Sequence, residues 1–297
     1  MSMETAQTSE APRSAGNSLS GIVKAHPLVS FVALTFAISW AAWLAVWLSG
    51  KGIQLLTYPV FFIGAFGPFI AAFALTYVQD GKAGAVRLAK RLVQWRESLR
   101  SYALALFLIP ALMLVAIGAN MALGGQFGNS PWMQWYLPLI LPVALITGII
   151  TGGPLAEEPG WRGYALPRLQ EKYGSLFGGL ILGAIWCAWH IPLFFIPGTS
   201  QHGLPFLFWA AYTMALSMLM VWVYNKSHGS ILIMMLFHAA SNVGITVLPV
   251  LPSMAGGWNT AYIYMGIVLL VTLSVIVLDR QSFTLKMPVK TGKGEAA

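Results

Sequence analysis

Charge and cysteine are what this sequence has least of. Only 9% of its 297 residues are Asp, Glu, Lys or Arg, where a soluble domain carries about a quarter. That scarcity excludes an ordinary water-exposed surface. The single cysteine, Cys187, excludes an internal disulfide and lies inside an apolar run, where a small packing residue is the ordinary reading. Common hydrolase signatures are missing as well. There is no GxSxG and no HExxH, and no Ser or Cys stands at a fixed local spacing from a plausible base. Neither a fixed-period repeat nor a second, soluble domain can be found. No apolar block opens the chain: residues 1–25 are polar and rich in Ser, Ala, Thr and Glu, so they read as a flexible cytoplasmic tail rather than a signal peptide. Residues 281–297 read the same way.

What is abundant is apolar surface, at 57% of residues. A run of about 20 such residues crosses the hydrocarbon core as a helix. Apolar segments stand at 28–49, 54–78, 102–124, 135–156, 176–197, 205–225, 230–250 and 259–278. The expected fold is therefore all-α, a polytopic membrane bundle of about eight transmembrane helices within residues 26–280. Pro68, Pro110, Pro138 and Pro142 interrupt some of these runs, which neighbouring helices can tolerate by satisfying the freed backbone groups.

The net charge of +8 does not call for a nucleic-acid partner, because the basic residues sit in short connections between apolar runs. Counted along an eight-span alternation, Lys51 alone falls on one side and every other Lys and Arg on the other. Positive charge favours the cytoplasm, so both termini are expected there, in a bacterial plasma membrane. The stretch 81–100, "GKAGAVRLAKRLVQWRESLR", reads as an amphipathic helix lying on anionic headgroups of the lipid bilayer.

An ionisable residue inside a span costs several kcal/mol unless it is paired or hydrated, so it marks function by default. Among the nine acids only Glu157 and Glu158, in "LAEEPGWRGYALPRL", fall within the bundle rather than in tails or loops. Arg162 follows one helical turn later, and His190 and His238 lie inside two other segments. The spacings are helical. Glu158 and Arg162 stand at i, i+4 with the acid first, the favourable order. His238 and Asn242 share a face in the same way, and Trp186 sits one turn before His190. Each has an ordinary reading: a structural Glu–Arg clamp, a hydrogen-bonded histidine, an Asn gluing helices, a packing Trp. Taken together these readings lose weight, because nearly every costly residue belongs to one small Glu, His and Asn set.

At these residues the sequence resembles the CPBP family, the CAAX proteases and bacteriocin-processing enzymes, intramembrane endopeptidases that include the Ras-converting CAAX protease. The family pattern is Glu-Glu-x-x-x-Arg, an aromatic residue four before His, then His-x-x-x-Asn or Asp. Here these are Glu157-Glu158-Pro159-Gly160-Trp161-Arg162, Trp186 to His190, and His238 to Asn242, with Trp186 where Phe is more usual. The resemblance covers about residues 140–245. It implies that Glu157 with His190 activates water, that His238 and Asn242 stabilise the oxyanion, and that Glu158 and Arg162 are supporting residues.

The chemistry fits on its own terms. Amide hydrolysis needs an activated water and a donor for the developing oxyanion. Two carboxylates in unequal surroundings take separate roles: Arg162 holds Glu158 ionised and leaves Glu157 to handle the proton. A competing account makes Glu157, His190 and His238 a zinc set with an open position. The metal-free glutamate type is favoured here, since Asn242 beside His238 suits an oxyanion hole better than a metal shell.

Depth poses a difficulty. With cytoplasmic termini Glu157 lies near the inner end of its segment, while His238 is about 10 Å and His190 about 20 Å into theirs. For them to meet, residues 157–175 must dip back into the bundle or the next segment must start deeper, around a polar cavity open to the cytoplasm. The expected activity is endopeptidase cleavage of a membrane-associated peptide or protein substrate, of which a prenylated C-terminal peptide is one class the resemblance offers. Two other classes compete: a proton-coupled transporter, which paired halves with matching broken segments would favour, and a non-enzymatic immunity or scaffold protein of the same fold.

Overall fold

The computed structural model describes residues 19–131, 136–151 and 153–284. Most of the two expected tails, residues 1–18 and 285–297, lies outside the described residues. The inner edges of both are helical: α1 covers Leu19–Ala25 and α13 covers Arg280–Thr284. Among the described residues all regular structure is helical, with no strand.

The remaining helices are α2 (Pro27–Leu48), α3 (Tyr58–Ala65), α4 (Gly67–Leu92), α5 (Leu99–Ala122), α6 (Leu137–Thr151), α7 (Pro154–Gly160), α8 (Leu166–Trp189), α9 (Phe206–Lys226), α10 (Ile231–Val247), α11 (Pro252–Ala255) and α12 (Asn259–Leu278). A π-turn, Trp161–Ala165, joins α7 to α8, and a 3₁₀ turn, Ile191–Phe195, follows α8. Among the described residues six helical stretches are long and apolar enough to cross a membrane, or seven if α3 and α4, bent by 47°, form one broken span. The protein is an integral membrane protein. The expected count of about eight is not confirmed. The 135–156 segment yields α6, whose fifteen residues reach only about 22 Å, short of a hydrocarbon core of about 30 Å.

Local chemistry sets the ends of these helices. Ser98 caps α5 by accepting from Ser101 N at 3.1 Å, and Ser230 caps α10 by accepting from Ile233 N at 3.3 Å. Gly81 (φ 66°, ψ −165°) breaks α4, so the basic turns from Lys82 to Leu92 leave the direction of the transmembrane part. In lipid no hydrophobic force drives one helix onto another, so close packing must do the work. Small residues permit it: a Cβ on Gly160 would lie 2.6 Å from the Pro68 carbonyl oxygen, which is how closely α7 crosses α4. Gly179 and Gly183, one turn apart on α8, make the corresponding room for Met218 and Met214 of α9.

The stretch Pro154–Phe195 decides where the functional residues go. Gly174 (φ 75°, ψ 168°) interrupts α8 and turns the chain back on itself. Beyond the turn, a Cβ on Gly178 would stand 2.9 Å from the Leu169 backbone, and Trp186 reaches Glu157. The two arms thus run antiparallel, with 157 level with 186. Residues 157–175 are no surface loop. They form an arm whose first part is buried, every residue from Ala156 to Pro167 being shielded from solvent, and whose tip at Glu171, Lys172 and Tyr173 is exposed. The depth condition is met by this fold-back: Glu157 lies inside the bundle, bonded to Trp186 of the returning arm.

Behind the site, aromatic packing fixes the arm. Trp43, Trp161 and Trp189 are buried, with ring centroids 4.7 Å apart for Trp43–Trp189 and 5.6 Å for Trp161–Trp189. Phe31 closes the group, 5.4 Å from Trp161 and 5.1 Å from Tyr164. The π-turn leaves carbonyls that an α-helix would satisfy. Arg91 donates to Gly163 O at 2.9 Å and Arg168 to Tyr164 O at 2.8 Å.

Candidate active site

All four residues expected to be catalytic, together with Trp186, line one cavity of about 440 Å³. Glu157 comes from α7, Trp186 and His190 from the end of α8, and His238 and Asn242 from α10. Glu158 and Arg162 stand directly behind it with no exposed surface.

Trp186 is the hub. Its indole N–H donates to Glu157 Oε2 at 2.7 Å. Its ring meets the His190 and His238 rings edge-on, each at 5.6 Å, and the Arg162 guanidinium lies 4.4 Å from its centroid. Glu158 Oε1 is the second junction, accepting from Arg162 Nη1 at 3.0 Å and lying 2.8 Å from His238 Nδ1. The i, i+4 spacing alone brings the Glu158–Arg162 pair together, while the hairpin and α10 bring His238 to it.

These contacts assign the imidazole protons. His190 Nδ1 lies 2.8 Å from the Trp186 carbonyl oxygen, which can only accept, so Nδ1 carries a hydrogen. His238 Nδ1 faces a carboxylate and is assigned as a donor by the same logic.

Gly153 prepares this corner. Its φ of 104° is one that side chains rarely adopt, and a Cβ there would come within 2.6 Å of Glu157 Oε1. A glycine is required twice over, by backbone and by space. Sequence reasoning passed over Gly153, and also Trp209, whose ring stands edge-on to His190 at 4.8 Å. A chain-breaking glycine four residues before a costly Glu was the available signal for the first. Trp209 had none, because an aromatic residue in a membrane helix is unremarkable.

Among the described residues no three His, Cys, Asp or Glu side chains converge as a metal-ligand group. The zinc set of Glu157, His190 and His238 is not gathered as such a group among the described residues.

The cavity's surroundings bear on the expected opening to the cytoplasm. Its lining reaches Ile53, Gly198, Gln201, Leu204, Val250 and Leu251, in the connections at the Lys51 end of the bundle. None of the residues at the basic end lines it, and most of the walls are aromatic or aliphatic. The cavity thus lies toward the end of the bundle opposite the basic connections. Single cysteines at exposed Ser200 and exposed Glu171 should react with an impermeant maleimide from opposite sides of sealed vesicles. Labelling of both from one side would remove the distinction.

Comparison with known proteins agrees with the motifs. Residues 131–244, which include every residue of the site, match the family described as type II CAAX prenyl endopeptidase, Rce1-like. Over 282 residues, 89% of this chain and 98% of the relative, the sequence is 25% identical to CAAX prenyl protease 2 of Methanococcus maripaludis. The chain is related to the Rce1-like CAAX prenyl endopeptidases, through the helices that build the cavity as well as along most of its length.

Proposed function

We propose that this protein is an intramembrane endopeptidase of the glutamate type, hydrolysing a peptide bond in a membrane-associated substrate. The relationship to CAAX prenyl endopeptidases supports protease activity. The observation that carries the finer reading is the convergence of Glu157, His190, His238 and Asn242 on one cavity, with Glu158 and Arg162 buried behind it.

Glu157 binds the attacking water through the oxygen that Trp186 leaves free, and takes its proton as the hydroxide adds to the scissile carbonyl. His190 orients the same water through Nε2, since Nδ1 is held by the Trp186 carbonyl. The carbonyl oxygen becomes an oxyanion. His238, as an imidazolium beside Glu158, offers Nε2–H to it, and the Asn242 amide offers N–H. Glu157 then passes its proton to the leaving nitrogen as the C–N bond breaks, giving a carboxylic acid and an amine; the acid's remaining proton passes to the amine, so the products leave as carboxylate and ammonium. Water's oxygen ends in the new carboxylate, and the carboxylate of Glu157 is restored.

The aromatic walls suit a substrate with lipid or apolar character. A prenylated C-terminal peptide, as cleaved by proteins bearing the relative's name, is the first class to try. The test is purified protein in nanodiscs against a peptide library that includes farnesylated CAAX-type peptides, with and without chelator. Cleavage unaffected by chelator is expected. Loss of cleavage with chelator, restored by zinc, would overturn the glutamate assignment.

A further inference from the structure

Tyr212, Ser241 and Tyr264, from α9, α10 and α12, all line the cavity, and no sequence motif singles them out. The Tyr212 hydroxyl stands 3.0 Å from Ser241 Oγ and 3.2 Å from the Tyr264 hydroxyl. Three hydroxyls hold three hydrogens, and the two contacts between them use two. One donor is left over.

Burial says where it points. Ser241 and Tyr264 are 1% and 4% exposed, and Tyr212 is their only hydrogen-bond partner among the described residues. Tyr212 is only partly buried and faces the cavity. The arrangement that satisfies all three has Ser241 and Tyr264 both donating to the Tyr212 oxygen, which turns the Tyr212 hydrogen toward the open space. An unused donor in a mostly apolar enclosure is costly when empty and selective when filled.

Its place relative to the reaction follows from helix geometry. Ser241 is three residues beyond His238 on α10, about 4.5 Å along the axis toward the Lys51 end. An extended peptide advances about 3.3–3.6 Å per residue, so the donor sits within one or two residues of the bond being cut. The side of α9 that carries it also presents Trp209, Thr213 and Leu216 to the cavity, at helical spacing.

From this we infer that Tyr212, oriented by Ser241 and Tyr264, is a substrate-positioning residue that donates a hydrogen bond to a backbone carbonyl one or two residues from the scissile bond. This rests on the endopeptidase reading and names one element of its substrate recognition: the peptide backbone itself, independent of side-chain identity. The Tyr212 hydroxyl performs no proton transfer in the cleavage.

The experiment measures binding, so that it stays readable without turnover. In a Glu157→Gln background, the dissociation constant of a farnesylated CAAX-type peptide is compared with those of analogues. Each analogue has one backbone carbonyl within two residues of the cleaved position replaced by methylene. One analogue should bind about five-fold more weakly, the worth of a single neutral hydrogen bond. Adding Tyr212→Phe, which removes one oxygen and keeps the ring, should erase that one penalty and leave the others. The inference is overturned if every penalty persists in the Tyr212→Phe variant, or if the variant weakens all the peptides evenly. A wild-type protein that binds the parent peptide without cleaving it overturns the endopeptidase reading and leaves this test intact, whereas failure to bind at all overturns both.

Discussion

Glu157→Gln is expected to lower peptide cleavage by about 10²–10⁴-fold, the usual worth of a positioned general base, while leaving the protein folded. The substitution is nearly isosteric. A Gln carbonyl can accept the Trp186 indole N–H as the carboxylate does at 2.7 Å, so Trp186 should stay in place between the two histidines. What Gln lacks is a site for the water's proton. Rate and melting temperature measured on the same preparation separate the two effects. A variant that cleaves at the wild-type rate would show that another group takes the proton, and His190 would be the next candidate.

The second large effect is on stability. Arg162 and Glu158 have no exposed side-chain surface and meet at 3.0 Å. Removing Arg162 leaves the buried Glu158 carboxylate with His238 as its one remaining partner among the described residues and under-compensated, a loss of up to about 3–5 kcal/mol. Arg162→Leu should therefore melt far earlier than the wild type and lose activity with it. The double variant Glu158→Gln/Arg162→Leu removes both charges and should recover most of that stability. Its activity should stay low, because His238 Nδ1 then faces a neutral amide instead of the carboxylate now 2.8 Å away. If Arg162→Leu alone matches the wild type in a denaturation curve, the pair is not the clamp described here. Recovery of activity in the double variant would show that His238 works without a charged neighbour.

The two variants test different layers of one arrangement. Glu157 faces the cavity and is judged by rate. Arg162 touches no part of it and acts through Glu158 and Trp186, so it is judged first by stability. The order of the residues along the arm makes this division possible: adjacent positions 157 and 158 on a helix point to different sides, one into open space and one into the packed helix contacts.

Much of this was legible before any coordinates. Scarce charge and abundant apolar residues required membrane helices, because backbone groups in lipid must be satisfied within the chain. The expense of a charge in hydrocarbon drew attention to Glu157, Glu158, Arg162, His190 and His238. Three of the site's local pairs needed only helical spacing to be named: Glu158 with Arg162, Trp186 with His190, and His238 with Asn242. The span count was less legible. Hydropathy registers apolarity without direction, so it could not distinguish one crossing from α6 followed by an arm that turns back at Gly174.

By itself, the sequence determined the class of the molecule and the identity of its costly residues, since both follow from transfer energies that each side chain carries wherever it is placed. Tertiary structure alone decided that Trp186 joins Glu157 to Arg162, that His238 leans on Glu158 across eighty residues of chain, and that the cavity reaches the end of the bundle away from the basic loops. Those facts depend on one glycine reversing a helix and on small residues letting helices approach. Such contacts arise between segments remote in the chain, and a spacing of three or four residues carries no record of them.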